Sequence, residues 1–114
     1  MNDLDTIGLT PDSRRALTEL EAKGWFQDGQ DAARFCMAYA IRAKLPEGVT
    51  EDRTTQWAAG NFDKSGEIRA LLAALYPDCQ TPVRLMEHFV NQGLVMVAAR
   101  VRSDAVGPAE LLAD

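Results

Sequence analysis

Residues 31–45, DAARFCMAYAIRAKL, constrain this chain more than any other stretch. Only Asp31, Arg34, Arg42 and Lys44 interrupt a run of apolar side chains. At about 100° per residue these four fall on one side of a helix, and Met37, Ala38 and Ile41 share that side with them. A helix that is apolar nearly all round needs neighbours on most of its faces. The rest of the chain is therefore expected to lie against it, joined by a second copy of itself. Phe35, Met37, Tyr39 and Ile41 are the candidates for that oligomer interface. The expected assembly is a homodimer or a higher oligomer.

The segments on either side carry clear local signals. In residues 4–10, LDTIGLT, Ile7 and Leu9 alternate with small or polar residues, as in a short strand. Thr10 then suits a helix N-cap, Pro11 the first helical position, and Asp12 the positive end of the dipole. Ala16, Leu17 and Leu20 form the buried stripe of this helix, Arg15–Glu19 and Glu19–Lys23 pair along its outer side, and Gly24 ends it. Trp25 and Phe26 are placed to plug the gap before the apolar helix, which Asp28 caps.

Residues 46–64 form a polar connection broken by Pro46, Gly48 and Gly60, with a brief extended piece at Thr54–Trp57 and with Trp57 and Phe62 as anchors. A connection of this length is a candidate partner-binding loop. Ser65 or Asp63 caps a third helix, in which Ile68, Leu71, Leu72 and Leu75 make one apolar stripe. Pro77 stops it. Thr81 and Pro82 open a fourth helix carrying Leu85, Met86, Phe89, Val90, Leu94, Val97 and Val101. Gly93 either breaks this helix or admits another backbone. The fold expected is mainly α: about four helices with a short N-terminal strand, in a single domain over 1–103, with a 64–103 helical extension and a frayed tail at 104–114.

Charge narrows the partners. The net charge is −5, divided as −1 over residues 1–45 (seven acids, six bases) and −4 over residues 46–114 (ten acids, six bases). That balance disfavours a broad non-specific grip on nucleic acid, which needs clustered Lys and Arg. The apolar runs fall far short of the roughly 20 residues a membrane span needs, and MNDLDTIGL lacks the basic n-region of a signal peptide. A cytoplasmic location, without membrane contact, is the expectation. Cys36 and Cys79 are too few and too isolated for a disulfide framework or a zinc site, and no metal or cofactor is expected.

Read together, a short strand, a helix ending at Lys23-Gly24, a tight aromatic turn and an apolar second helix are the parts of a ribbon–helix–helix unit. The line IGLTPDSRRALTELEAKGWFQDGQDAARFCMAYAIRAKL resembles such a unit, within 4–45. It is similar more particularly to DndE, the small helical protein of bacterial DNA sulfur modification. That similarity continues through Leu75-Tyr76-Pro77 and the closing helix at Asn91-Gln92-Gly93. The resemblance implies a DNA-associated oligomer, a regulator or an accessory of DNA modification, whose strands pair across a dimer. Thr6, Gly8 and Thr10 then face outward toward the major groove. They lack the bidentate donors that discriminate bases, and Asp3 and Asp5 lie beside them. Contact with the phosphate backbone falls instead to Arg14, Arg15 and Lys23 on the first helix, with Arg34 and Arg42 on the second.

Catalytic patterns are missing from the sequence. His88 is the one histidine, beside Glu87 and without a partner at ligand spacing. Glu51-Asp52 read as solvated loop charge, and no phosphate loop, nucleophile elbow or H-E-x-x-H occurs. The expected protein is therefore not an enzyme. Its function is DNA association or, alternatively, that of an acidic protein–protein interaction module using the C-terminal helices.

Overall fold

A computed structural model describes residues 2–104 and 107–112. Its elements in chain order are β1 (Thr6–Leu9), α1 (Pro11–Ala22), α2 (Gly29–Arg42), β2 (Thr54–Ala58), α3 (Ala59–Phe62), α4 (Glu67–Leu75), α5 (Pro82–Asp104) and α6 (Pro108–Leu112). The fold is mainly helical, with β1 and β2 in a two-stranded antiparallel sheet. The short helices α3 and α6 exceed the four expected. Within the stretch expected to fray, α6 buries Leu111; residues 105–106 and 113–114 of that stretch lie outside the described residues.

The helix ends follow the local chemistry. Thr10 Oγ1 accepts the Ser13 amide at 3.1 Å, and Ser13 Oγ accepts the Thr10 amide at 2.9 Å, a reciprocal capping box. Gly24 closes α1 at φ +73°, a conformation glycine adopts without steric cost. Asp28 Oδ1 accepts the Asp31 amide at 2.9 Å and caps α2. The amides at the start of α5 are capped from far away: Asp3 accepts from Val83 at 2.8 Å and from Arg84 at 2.9 Å. Asp3 is thus spent on a helix dipole.

The helix with neighbours on most faces is α5, not α2. Val83, Leu85, Met86, Phe89, Val90, Leu94, Val97, Ala98 and Val101 are all buried on it, and α1, α2, α4 and β1 pack around it. Gly93 leaves α5 unbroken and serves the second role expected of it. A Cβ there would stand 1.9 Å from the Cys36 carbonyl oxygen, so the backbones of α2 and α5 touch at this point.

This seating covers much of the surplus apolar surface that implied a second copy. Met37 is buried, while Phe35, Tyr39 and Ile41 are half-buried within the single chain. Phe35 packs on Phe26 with ring centroids 5.3 Å apart, and the Tyr39 hydroxyl accepts Arg100 Nη1 at 2.8 Å. Cys36 is enclosed, and burial pushes its thiol up to about 12, so it acts as a small hydrophobe.

Candidate functional site

Strand β1 is the best place to test the residues proposed for DNA contact, because both of its edges can be followed. One edge pairs with β2 in the register Thr6↔Ala58, Ile7↔Trp57, Gly8↔Thr55 and Leu9↔Thr54. The slip between Ile7 and Gly8 passes over Gln56, whose side chain accepts from Arg14. The other edge is met by side chains of α5. Glu87 Oε2 accepts the Gly8 amide at 2.7 Å, Asn91 Nδ2 donates to the Gly8 carbonyl at 2.9 Å, and Asn91 Oδ1 accepts the Thr10 amide at 3.0 Å. One turn of helix therefore does for β1 what a third strand would do.

Those contacts place each candidate. Gly8 is buried rather than outward-facing, because the Arg53 side chain crosses it on the way to an ion pair with Glu87. Thr6 Oγ1 accepts Arg53 Nη2 at 2.7 Å, and Thr10 is committed to its cap. Arg14 turns toward β2, donating to Gln56 and to the Thr54 carbonyl at 3.2 Å. Arg34 donates to the Phe62 carbonyl at 3.2 Å and stands 5.2 Å from the centre of that ring. Arg15, paired with Asp12, and Lys23, the C-cap of α1, are exposed cations. Sequence reasoning missed the clamp because its members lie about eighty positions from β1. The only local hint was a Glu and an Asn four apart on an apolar helix.

The long connection after α2 lies against α5. His88 Nε2 meets the Pro46 carbonyl at 3.0 Å, and its ring packs on Phe89. Among the described residues no group of three or more His, Cys, Asp or Glu side chains is gathered as a metal site. Nor is any helix there long and apolar enough to cross a membrane.

Two of the large exposed apolar side chains among the described residues, Leu71 and Leu75, stand on α4. Of its expected stripe, Leu72 is buried and Ile68 half-buried, but Leu71 and Leu75 are 48% and 49% exposed. The helix is rolled about its axis. Leu71 and Leu75 lie about 100° and 60° round from Leu72 on one side, while Arg69 and Tyr76 flank Leu72 on the other. Tyr76 packs on Phe89 at 5.5 Å, and Arg69 Nε donates to Asp63 at 2.9 Å.

Asp63 fixes this orientation. Its buried carboxylate accepts the Ile68 and Arg69 amides at 3.0 and 3.1 Å, capping α4 from outside. Burial pushes this carboxyl up, but the two amides and the Arg69 guanidinium outweigh it and hold the carboxyl below its ordinary value of 3.8. A group depressed in the folded state stabilises fully above its unfolded pKa and loses that contribution as the pH falls through the folded value. Urea unfolding followed from pH 7 to pH 3 should show an acid limb that Asp63→Asn flattens. Asp63→Ala should lose about 1–3 kcal/mol at neutral pH; an unchanged midpoint would remove the cap from the account.

No family model matches the chain, and neither a curated protein nor a solved structure does.

Proposed function

We propose that the protein is a small acidic interaction module, not an enzyme, that docks a partner protein on the outer flank of α4. One observation carries this reading: Leu71 and Leu75 stand half-exposed on a helix whose opposite flank is pinned by Asp63, Arg69 and Tyr76. Paired leucines held rigidly at the surface suit the anchor positions of a protein interface, since little ordering entropy remains to be lost on docking. Self-association through the same flank is the oligomeric form of this reading, and it moves the interface from α2 to α4.

The test places a photo-crosslinking side chain at Leu75 and, as a control, at the exposed Thr18. Specific protein adducts, or a dimer of the chain in sedimentation velocity, are expected at position 75 and not at 18. They should disappear in Leu71→Glu, a surface change expected to shift stability by no more than about 0.5 kcal/mol. Equal yields at both positions would sink the reading.

DNA association, implied by the ribbon–helix–helix and DndE resemblance, is the second reading. The exposed Arg15 and Lys23 favour it. Against it, a second β1 would have to displace β2 or the Glu87–Asn91 clamp, and Arg14 and Arg34 would have to leave internal partners. Anisotropy of a labelled duplex, intact and nicked, separates the two. Salt-sensitive binding at protein concentrations up to tens of micromolar supports DNA contact, and its absence at low salt excludes it.

A further inference from the structure

We infer that the seam between α1 and α5 is a second docking groove, built for a basic amphipathic helix of a partner protein; the inference rests on the interaction-module reading but uses a different face of the molecule. The groove begins as a cleft of about 540 Å³ between the start of α1, the connection at 49–52 and the middle of α5. Val49 and Val95, 60% and 41% exposed, stand in it. With Leu71 and Leu75 they make up the large exposed hydrophobics of the described residues, so the exposed apolar surface falls on two faces. Two smaller cavities, of about 160 and 320 Å³, continue the cleft. The first shares Asp12 and Val95 with it, and the second shares Glu19, Ala98 and Arg102 with the first.

The shape suits a third helix. From Asp12 to Lys23 the seam follows about eleven residues of α1, roughly 17 Å at 1.5 Å per residue, which is three helical turns. Ala16 and Ala98 keep its floor low, and the Glu19–Arg102 ion pair that crosses it at 2.6 Å joins two exposed side chains and opens at little cost, so a helix can settle between the ridges of α1 and α5.

Charge decides what kind of helix fits. The wide end carries Glu51, Asp52 and Asp12, the last paired with Arg15 of the adjoining cavity, and among the described residues its own lining holds no Lys or Arg. The far end carries Lys23, and Arg102 there is paired with Glu19. An occupant with Lys or Arg at one end, and leucine-like side chains reaching Val49 and Val95, complements both features. A phosphate backbone would be repelled by the same carboxylates.

The test uses the full chain and three synthetic peptides of about fourteen residues: a leucine-faced helix with three lysines at one end, the same helix with glutamates there, and a scrambled sequence. The lysine peptide is expected to bind with a dissociation constant on the order of tens of micromolar, at least about tenfold tighter than either control. Amide shift changes should centre on Val49, Asp52, Val95 and Ala98. The exposed substitutions Asp12→Asn, Glu51→Gln and Asp52→Asn, made together, should weaken binding about tenfold, and Val95→Lys should abolish it with the carboxylates intact. Shifts centred on Leu71 and Leu75, or an affinity that neither variant changes, would overturn the groove and leave the α4 reading standing. Failure of the α4 reading is seen separately, in the crosslinking at Leu75.

Discussion

Gly93→Ala is expected to lose stability, where a mid-helix exchange of glycine for alanine ordinarily gains about 0.5–1 kcal/mol. The reason is steric and leaves no easy escape. The added methyl would stand 1.9 Å from the Cys36 carbonyl oxygen, 2.5 Å from its carbon and 3.2 Å from the Met37 nitrogen. All three are backbone atoms within α2, so no rotamer change relieves the clash. The two helices must part by about 1 Å or more, and a gap of that size already forfeits a quarter to a half of each contact's attraction along the seam. Overpacking of an ordinary core costs about 1–3 kcal/mol; with backbone on both sides, a loss at or above the top of that range is expected. Gly60→Ala is the control, because a Cβ at Gly60 meets nothing within 4 Å. Chemical unfolding of both variants should show opposite signs. A Gly93→Ala protein as stable as the parent would mean that α2 and α5 do not meet in this way.

That contact shows how far the sequence can be read. Signals confined to a few residues were legible: the Thr10-Pro11 start of α1, the Gly24 stop, the Asp28 cap, the Pro82 start of α5 and a cap for α4 at Ser65 or Asp63, between which the sequence did not choose. Each depends on chemistry within one turn, which the order of residues states directly. The apolar run at 31–45 was legible as a buried helix but not as subordinate to α5. Both helices are apolar, and which one lies at the centre depends on length and on where Gly93 meets Cys36. The stripe of α4 could be read, but not its rotation, which Asp63, Arg69 and Phe89 set through tertiary contacts. The pairing of β1 with β2, the capping of α5 by Asp3 and the seating of Arg53 over Gly8 join positions dozens of residues apart. No local period records them. The expected outward face of Gly8 failed for that reason: strand alternation says which way a residue points, and not what another part of the chain lays across it.

The second large effect is expected at Glu87. Its side chain is fully buried, yet it carries the Gly8 amide and the Arg53 guanidinium on a single oxygen. Such a buried pair is weak evidence for net stabilisation, because removing two charges from water is itself costly. Breaking it from the Glu87 side is different: Arg53 keeps Thr6 and some solvent, but the buried Gly8 amide loses its acceptor and the emptied site is left in the core. Glu87→Ala should therefore lose about 3–5 kcal/mol, against a total of about 5–15 kcal/mol for a domain of this kind. Glu87→Gln keeps an acceptor for Gly8 and gives up only the charge, so a loss of about 1–3 kcal/mol is expected. Asn91→Leu tests the other half of the clamp. It strands the buried Gly8 carbonyl, while the Thr10 amide and the Ser13 hydroxyl keep each other as partners, so a loss of about 1–3 kcal/mol is expected. A double-mutant cycle between Arg53→Met and Glu87→Gln isolates the ion pair from the strand contact. Coupling of at least about 1 kcal/mol, measured by urea unfolding, would show that Arg53 reaches Glu87 across Gly8 in solution. Additive losses would detach Arg53 from the clamp, and a Glu87→Ala protein within about 1 kcal/mol of the parent would mean that β1 holds its edge without α5.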